Sequence, residues 1–311
     1  MKLYVGVTDN EWFEFVRKLE PDEVNFWRPR STTNFRALEP GGIFLFKLHS
    51  PHDFVAGGGI FSGFSTLPLK LAWDAFGEKN GAADFQSFAR LILKHRRESE
   101  PNPMIGCILL SEPFFLSEEE WIPIPSNWSK NIVAGKGYDT AEEHGAWIWD
   151  QLQDRLTRDR PQAHVLREGS MNYGTGKVLE GREYLARARL GQGAFRILVT
   201  DTYSRRCSIT GERTLPVLEA AHIKPYAEAG PNLIQNGLCM RSDLHILFDR
   251  GYLTVTDDYR VEVSPRIREE YENGREYYAH HGKELAVVPE QEVLKPSKEF
   301  IQWHNENIYV A

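Results

Sequence analysis

Residues 218–251, LEAAHIKPYAEAGPNLIQNGLCMRSDLHILFDRG, constrain this chain more than any other stretch, because their turn residues and apolar runs admit one order of elements. LEAAHI alternates as a half-buried strand does, with Ala220 and His222 on one face and Glu219, Ala221 and Ile223 on the other. Pro225, Gly230, Pro231 and Asn232 then mark a loop. NGLCM reads as a second strand, and Ser242 or Asp243 is placed to cap a helix, LHILFDR, that Gly251 stops. The predicted order is strand, loop, strand, helix. On that helix His245 and Asp249 lie four residues apart and share a face, where two donors can hold one metal ion.

The order His222, Asn236, His245, with the strand ending AHI-K-P, the second strand opening NGL and the last histidine on a helix, resembles the HNH nucleases. That resemblance implies a ββα-metal fold in which His222 is the general base that takes a proton from the attacking water. It further implies that Asn236 fixes the loop and the orientation of His222, and that His245 is a metal ligand. Phosphodiester hydrolysis calls for such parts, since water is a poor nucleophile and the leaving oxygen needs stabilising. Each residue alone is more often a core or turn residue; the three together in this pattern favour the motif.

Two departures from the family pattern matter. Many members place an Asp or His directly before the general base, where this chain has Ala221, so a metal ligand must come from elsewhere. Asp249 is the first candidate and Glu219 the second. Many members also carry a structural zinc on paired Cys-x-x-Cys motifs, whereas the corresponding positions here read Cys207-x-x-Thr210 and Arg241-x-x-Leu244. The expectation is a divalent ion such as Mg²⁺ or Mn²⁺ and no structural zinc.

At 311 residues the chain is long enough for two domains with separate cores. A hydrophobic content of 41% with 26% charged residues describes a globular protein. No apolar run approaches the ~20 residues of a membrane helix, and MKLYVGVTDNEW reads as strand and turn rather than as a signal peptide. A cytoplasmic protein without a membrane partner is expected. Cys107, Cys207 and Cys239 are too few and too scattered for a disulfide framework.

A net charge of −7 does not suit a nucleic-acid binder, but the distribution is uneven. Residues 182–206 hold Arg182, Arg187, Arg189, Arg196, Arg205 and Arg206 against Glu183 and Asp201. Arg187, Arg189 and Arg196 are therefore candidates for contact with a phosphate backbone, although a solvated helix face would account for the same run.

Residues 1–140 read as a mixed α+β domain on a curled sheet. KLYVGVT is a strand and EWFEFVRKL an amphipathic helix with apolar Trp12, Phe13, Val16 and Leu19. VNFW follows, then GGIFLFKL and DFVAGGGIF as paired strands, LPLKLAWDAFG and ADFQSFARLILKHRRE as helices, and PMIGCILLSEPFFL as a buried strand pair. Gly57-Gly58-Gly59 lacks the Lys-Ser/Thr ending of a phosphate loop and fits a bulge or close backbone approach.

The opening strand, the VNFWRPRSTTNFRAL stretch, the strand pair and AWDAFGEKNG resemble the EVE and YTH domains of the PUA-like superfamily, which read a single modified base. By that likeness Trp27 and Trp73 fall near the positions where such domains place the aromatic walls of a base pocket, where stacking at ~1–3 kcal/mol per aromatic contact replaces what a flipped base loses; a core residue is the alternative for each. Arg28, Arg30 and Arg36 stand near Trp27 with Ser, Thr and Asn between them, as a loop reaching backbone phosphates would; a polar surface loop has the same composition.

Residues 141–180 form a helix, AEEHGAWIWDQLQDRLTRDR, running into the Gly-rich GSMNYGTGK, and serve as a helical linker. From 181 to 311 the chain opens on REYLARARLGQGAFRILVTDTYSRRCSITG, which resembles the lead-in of HNH restriction endonucleases. YLTVT and RVEVS around Asp257-Asp258 form a hairpin, and a short helix lies in the tail.

The two halves together resemble modification-dependent restriction endonucleases that attack double-stranded DNA carrying 5-methylcytosine or 5-hydroxymethylcytosine. Cutting both strands with one site per chain calls for a homodimer or two visits. Two competitors stand beside this reading: a nuclease of unmodified or structured nucleic acid, and a nucleic-acid-binding protein whose nuclease is inactive because Ala221 removes one usual ligand.

Overall fold

The computed structural model describes residues 1–30, 34–96, 100–158 and 190–311. These fall into two compact units, Met1–Ala194 and Phe195–Ala311. Arg187 and Arg189, with the Gly-rich part of the 141–180 segment, lie outside the described residues.

The first unit is a mixed α+β unit built on a seven-stranded sheet. Strand β1 (Lys2–Thr8) leads into helix α1 (Asn10–Leu19) and β2 (Glu23–Arg28). Then come β3 (Ile43–Leu48), β4 (Phe54–Pro68), α2 (Leu69–Phe76), α3 (Phe85–Leu93), β5 (Met104–Phe115), β6 (Ile122–Pro123), β7 (Gly135–Asp139) and α4 (Glu143–Arg158). The sheet order is β2-β5-β4-β3-β1-β7, with β6 also on β4. β1 runs parallel to β3, while β3, β4 and β5 run antiparallel.

Register shifts beside Gly58 and Phe61 bulge the fifteen-residue β4. Its glycines permit close approach: a Cβ on Gly57 would stand 2.3 Å from the Phe114 carbonyl oxygen, and one on Gly58 2.5 Å from that of Phe44. PMIGCILLSEPFF, expected as two strands, is one, because β5 bridges β2 and β4 along its length and Glu112, at φ 49°, bends it without ending it. On α1 the amphipathic stripe buries Trp12, Phe13 and Val16, while Leu19 stays exposed at the last turn. Asp9 caps that helix, accepting the Glu11 and Trp12 amides at 2.9 and 3.2 Å.

The second unit opens on the remainder of α5 (Gln192–Thr202), followed by β8 (Leu218–His222), β9 (Gly237–Arg241) and α6 (Ser242–Asp249). The hairpin β10 (Leu253–Val255) and β11 (Val261–Val263) forms as expected. The tail adds three α-helices rather than one, α7 (Arg266–Tyr271), α8 (Arg275–Tyr278) and α9 (Lys298–Asn307), and a 3-10 turn at Glu292–Leu294. Neither Ser242 nor Asp243 caps α6. Arg241 holds the cap position without a side-chain bond to the first-turn amides, and its guanidinium instead engages both oxygens of Asp243 in that turn, at 2.6 and 2.8 Å. At the other end Gly251, at φ 76°, turns the chain where a Cβ would meet the Ile308 oxygen at 2.1 Å.

No helix among the described residues is long and apolar enough to cross a membrane. All three cysteines are buried thiols.

Candidate active site

Strands β8 and β9 pair antiparallel, with His222 opposite Gly237 and Ala221 opposite Leu238. The connection between them is tied by Asn236, which is fully buried. Its side chain accepts the Lys224 amide at 2.8 Å and donates to the Lys224 and Pro231 carbonyls, each at 2.9 Å. One carboxamide thus closes both ends of the loop. Removing it leaves a donor and two acceptors to be satisfied otherwise, at about 1–3 kcal/mol for each that stays buried.

The hydrogen bond to the His222 ring is made by Asn232, one residue beyond the Pro231 that Asn236 holds. The ring Nε2–H donates to Asn232 Oδ1 at 2.7 Å. The ring also stacks on Phe195 of α5, with centroids 4.1 Å apart and planes 15° off parallel. Burial pushes the His222 pKa below its ordinary value, against the upward pull of the Asn232 bond. A neutral imidazole whose Nε2 carries the proton presents the lone pair of Nδ1, which is what a general base requires. Asn232 read as a turn residue in the sequence, and Phe195 as part of the lead-in; no local pattern singled out either.

On α6, His245 stands between two carboxylates. Its Nδ1 lies 2.6 Å from Glu219 Oε2 on β8, and its Nε2 lies 3.3 Å from Asp249 Oδ2 one turn along the helix. The four-residue spacing of His245 and Asp249 thus meets on one face, and the second candidate, Glu219, makes the shorter contact. Partial burial raises the Asp249 pKa; His245 and His222 oppose the rise and Glu219 adds to it. Among the described residues, no three His, Cys, Asp or Glu side chains form a ready-made metal cluster. The donor chemistry still fits a hard divalent ion: an imidazole with flanking carboxylates, about half exposed, leaving room for water and phosphate.

In the first unit a cavity of about 420 Å³ opens beside β1 and β2, within the ~300–1,000 Å³ typical of sites that enclose a small molecule. Its walls include Tyr4, Trp12, Phe26, Trp27 and Phe35, with Asp9, His49 and His95 as polar groups and Arg28 and Arg30 beside them. Trp27 is held by its indole N–H, which donates to the Asn80 carbonyl at 2.9 Å. Burial pulls the Asp9 pKa upward, but hydrogen bonds from Trp12, Lys94 and Glu11 hold it below the ordinary value, so it faces the cavity as a carboxylate.

Trp73 is not among the lining residues. It packs α2 against α3, its ring centroid 6.3 Å from Phe85 and 6.0 Å from Phe88, because the helix turns it toward its neighbour. Of the two tryptophans expected as pocket walls, Trp27 lines this cavity and Trp73 does not. Arg36 is exposed and does not line the cavity, and Arg196 lies half-buried on α5. The lining residues other than Trp27, Arg28 and Arg30 carried no local signal of a site. They come from six separate stretches of the first unit, from residues 4–12 to residues 133–134, that only the fold brings together.

Residues 207–256 match the family model of the HNH endonuclease, so the span that carries His222, Asn236, His245 and Asp249 is an HNH endonuclease domain. No curated protein matches the chain. Among solved structures, ASCH from Zymomonas mobilis is similar at 13% identity over 45% of this chain and 89% of its own, with a TM-score of 0.30. The modification dependent TagI restriction endonuclease is similar at 15% identity over 92% of this chain and 75% of its own, with a TM-score of 0.29.

Proposed function

We propose that this chain is a modification-dependent restriction endonuclease that binds double-stranded DNA carrying 5-methylcytosine or 5-hydroxymethylcytosine and hydrolyses a phosphodiester bond at its HNH site. The observation that carries the reading is the second unit's arrangement of a neutral, oriented His222 with His245 and two carboxylates, inside the residues that match the HNH endonuclease model. In the proposed reaction His222 takes a proton from water at Nδ1, and Asn236 keeps the loop closed so that the ring stays placed.

His245 and Asp249 would hold the divalent ion, Mg²⁺ or Mn²⁺, with Glu219 orienting His245. Such an ion would act there as a Lewis acid for the phosphate and the leaving oxygen.

Residues 1–140 are proposed as the base reader, 141–180 as a helical linker and 181–311 as the nuclease, in a ββα-metal fold. The aromatic cavity supports the first assignment, since it could enclose an extruded base against Trp27, with the Asp9 carboxylate available to an exocyclic amine. Arg28, Arg30 and Arg36 near the cavity, and Arg187, Arg189 and Arg196 on the nuclease side, are the proposed backbone contacts. A homodimer, acting in the cytoplasm, would cut both strands.

The test is a plasmid of one sequence prepared with cytosine, 5-methylcytosine or 5-hydroxymethylcytosine and incubated with Mn²⁺ or chelator. Metal-dependent cutting confined to the modified plasmids is expected. Equal cutting of all three would remove the reader assignment and leave a general nuclease. Cutting in excess chelator would remove the metal.

A further inference from the structure

We infer that Asn232 is a positioning residue of the nuclease, selecting the tautomer and the rotation of the His222 ring; this rests on the HNH reading above. The ring has two constraints of different kind. Stacking on Phe195 at 4.1 Å fixes the plane of the imidazole, yet a ring can turn over within that plane and exchange the places of its nitrogen and carbon edges. Only a directional bond at one nitrogen distinguishes the two orientations. Asn232 Oδ1, at 2.7 Å from Nε2, supplies that bond.

An amide oxygen accepts and cannot donate, so the nitrogen that faces it carries the proton, and the opposite nitrogen keeps its lone pair. The asparagine is itself almost buried, at 9% exposure. The residue before it is fastened through the Pro231 carbonyl to Asn236 at 2.9 Å. Asn236 therefore reaches His222 in steps, through Pro231 and then Asn232. This accounts for two asparagines, one closing the loop and one touching the ring. A solvent-facing turn residue would have no call on the Nε2 proton, and water would exchange it freely.

The experiment uses the full chain with Asn232→Ala, which removes the acceptor, and Asn232→Asp, which keeps an acceptor oxygen in place. Steady-state nicking of a 5-hydroxymethylcytosine plasmid with Mn²⁺ gives kcat and KM, and the ring nitrogens of His222 are followed by long-range ¹H–¹⁵N NMR without DNA. Expected is a slowly exchanging Hε2 resonance in the unaltered protein that disappears in Asn232→Ala. In that variant kcat should fall about 10–100-fold at unchanged KM, the scale on which residues orienting a histidine usually act. Asn232→Asp should retain most of kcat.

Full kcat in Asn232→Ala, a loss in Asn232→Asp as deep as in Asn232→Ala, or a His222 ring protonated at Nδ1 would each overturn the assignment. Should Asn232→Ala not fold, the NMR of the unaltered protein and the kcat of Asn232→Asp decide. His222→Ala separates this from the parent reading. If that variant still cuts, the HNH reading fails; if it is inactive while Asn232→Ala is unimpaired, only the positioning role fails.

Discussion

His304 makes the stability of the nuclease unit depend on pH in a way that can be worked out from its surroundings. The side chain is 1% exposed on α9. It stacks on Phe248 of α6 with centroids 3.8 Å apart. Its Nε2–H donates to the Phe248 carbonyl at 3.1 Å, and its Nδ1 meets the Thr254 hydroxyl at 2.9 Å. Burial pushes its pKa from the ordinary 6.5 down to about 4, against the smaller upward pull of the Phe248 bond. In the unfolded chain the ring titrates near ~6.5. Between those two values the unfolded state binds a proton that the folded state refuses. The contribution is therefore whole above pH ~6.5 and is lost as the pH falls toward about 4, at ~1.4 kcal/mol per decade, or about 3 kcal/mol in all. The assay compares the unaltered protein with His304→Gln by native-state hydrogen exchange of peptides spanning α6, from pH 7 to pH 4. Both proteins share every other titrating group, so the stability gap between them should close by about 3 kcal/mol across the window. Parallel curves would refute the reasoning and place His304 in a solvated or charged state.

His222→Ala should lower the cleavage rate by ~10²–10⁴-fold while gel-shift affinity for DNA holds, since it removes a proton acceptor and no phosphate contact; unimpaired cutting would end the HNH assignment. Asp249→Ala should raise the Mn²⁺ concentration needed for half-maximal cutting much more than Glu219→Gln does, which a metal titration of each variant measures. Trp27→Ala should weaken binding to modified duplex by about 1–3 kcal/mol relative to plain duplex, whereas Trp73→Ala should lower thermal stability without changing that ratio. Equal losses of the ratio in both variants would return Trp73 to the pocket.

The strand–loop–strand–helix order of residues 218–251 was legible because alternation, turn residues and a stop glycine are local signals, and the structure has all four elements. The His245–Asp249 contact was legible for the same reason, being set by helical period alone. The Glu219 contact was less so. It joins a strand to a helix twenty-six residues later, and only packing decides which of several acids arrives there. Asn232 and Phe195 were illegible, since an asparagine beside proline is what any turn contains and a phenylalanine in an amphipathic helix is what any core contains. The place of Trp73 was not legible, because a tryptophan on a short helix can face a cavity or a neighbouring helix, as it does Phe88, and the 3.6-residue period does not say which. The cavity walls depend on β1, β2 and the His49 and His95 turns converging, a property of sheet order that strand patterns do not encode.

The two carboxylates on His245 also say which nitrogen can serve a cation. To ligate a cation His245 must be neutral, with one N–H and one lone pair, and in that form it would donate to only one of its two acidic neighbours. The shorter contact, Nδ1 to Glu219 at 2.6 Å, is the donor side. That leaves the Nε2 lone pair facing Asp249 Oδ2 at 3.3 Å, two electron-rich atoms that repel unless a proton or a metal ion lies between them. The rise in the Asp249 pKa runs in the direction of a proton taking that place when no ion is present. A divalent ion held by His245 and Asp249 would satisfy the same pair more strongly and relieve the charge that Glu219 adds nearby. With an ion there, Glu219 would be the carboxylate behind a ligating histidine, fixing its tautomer as such partners commonly do. This is why Glu219→Gln, whose amide oxygen still accepts the Nδ1 proton, is expected to be mild, while Asp249→Ala removes a donor from the ion itself. Were Glu219→Gln the more damaging of the two, Glu219 would be the direct ligand, and His245 would have to bind through Nδ1.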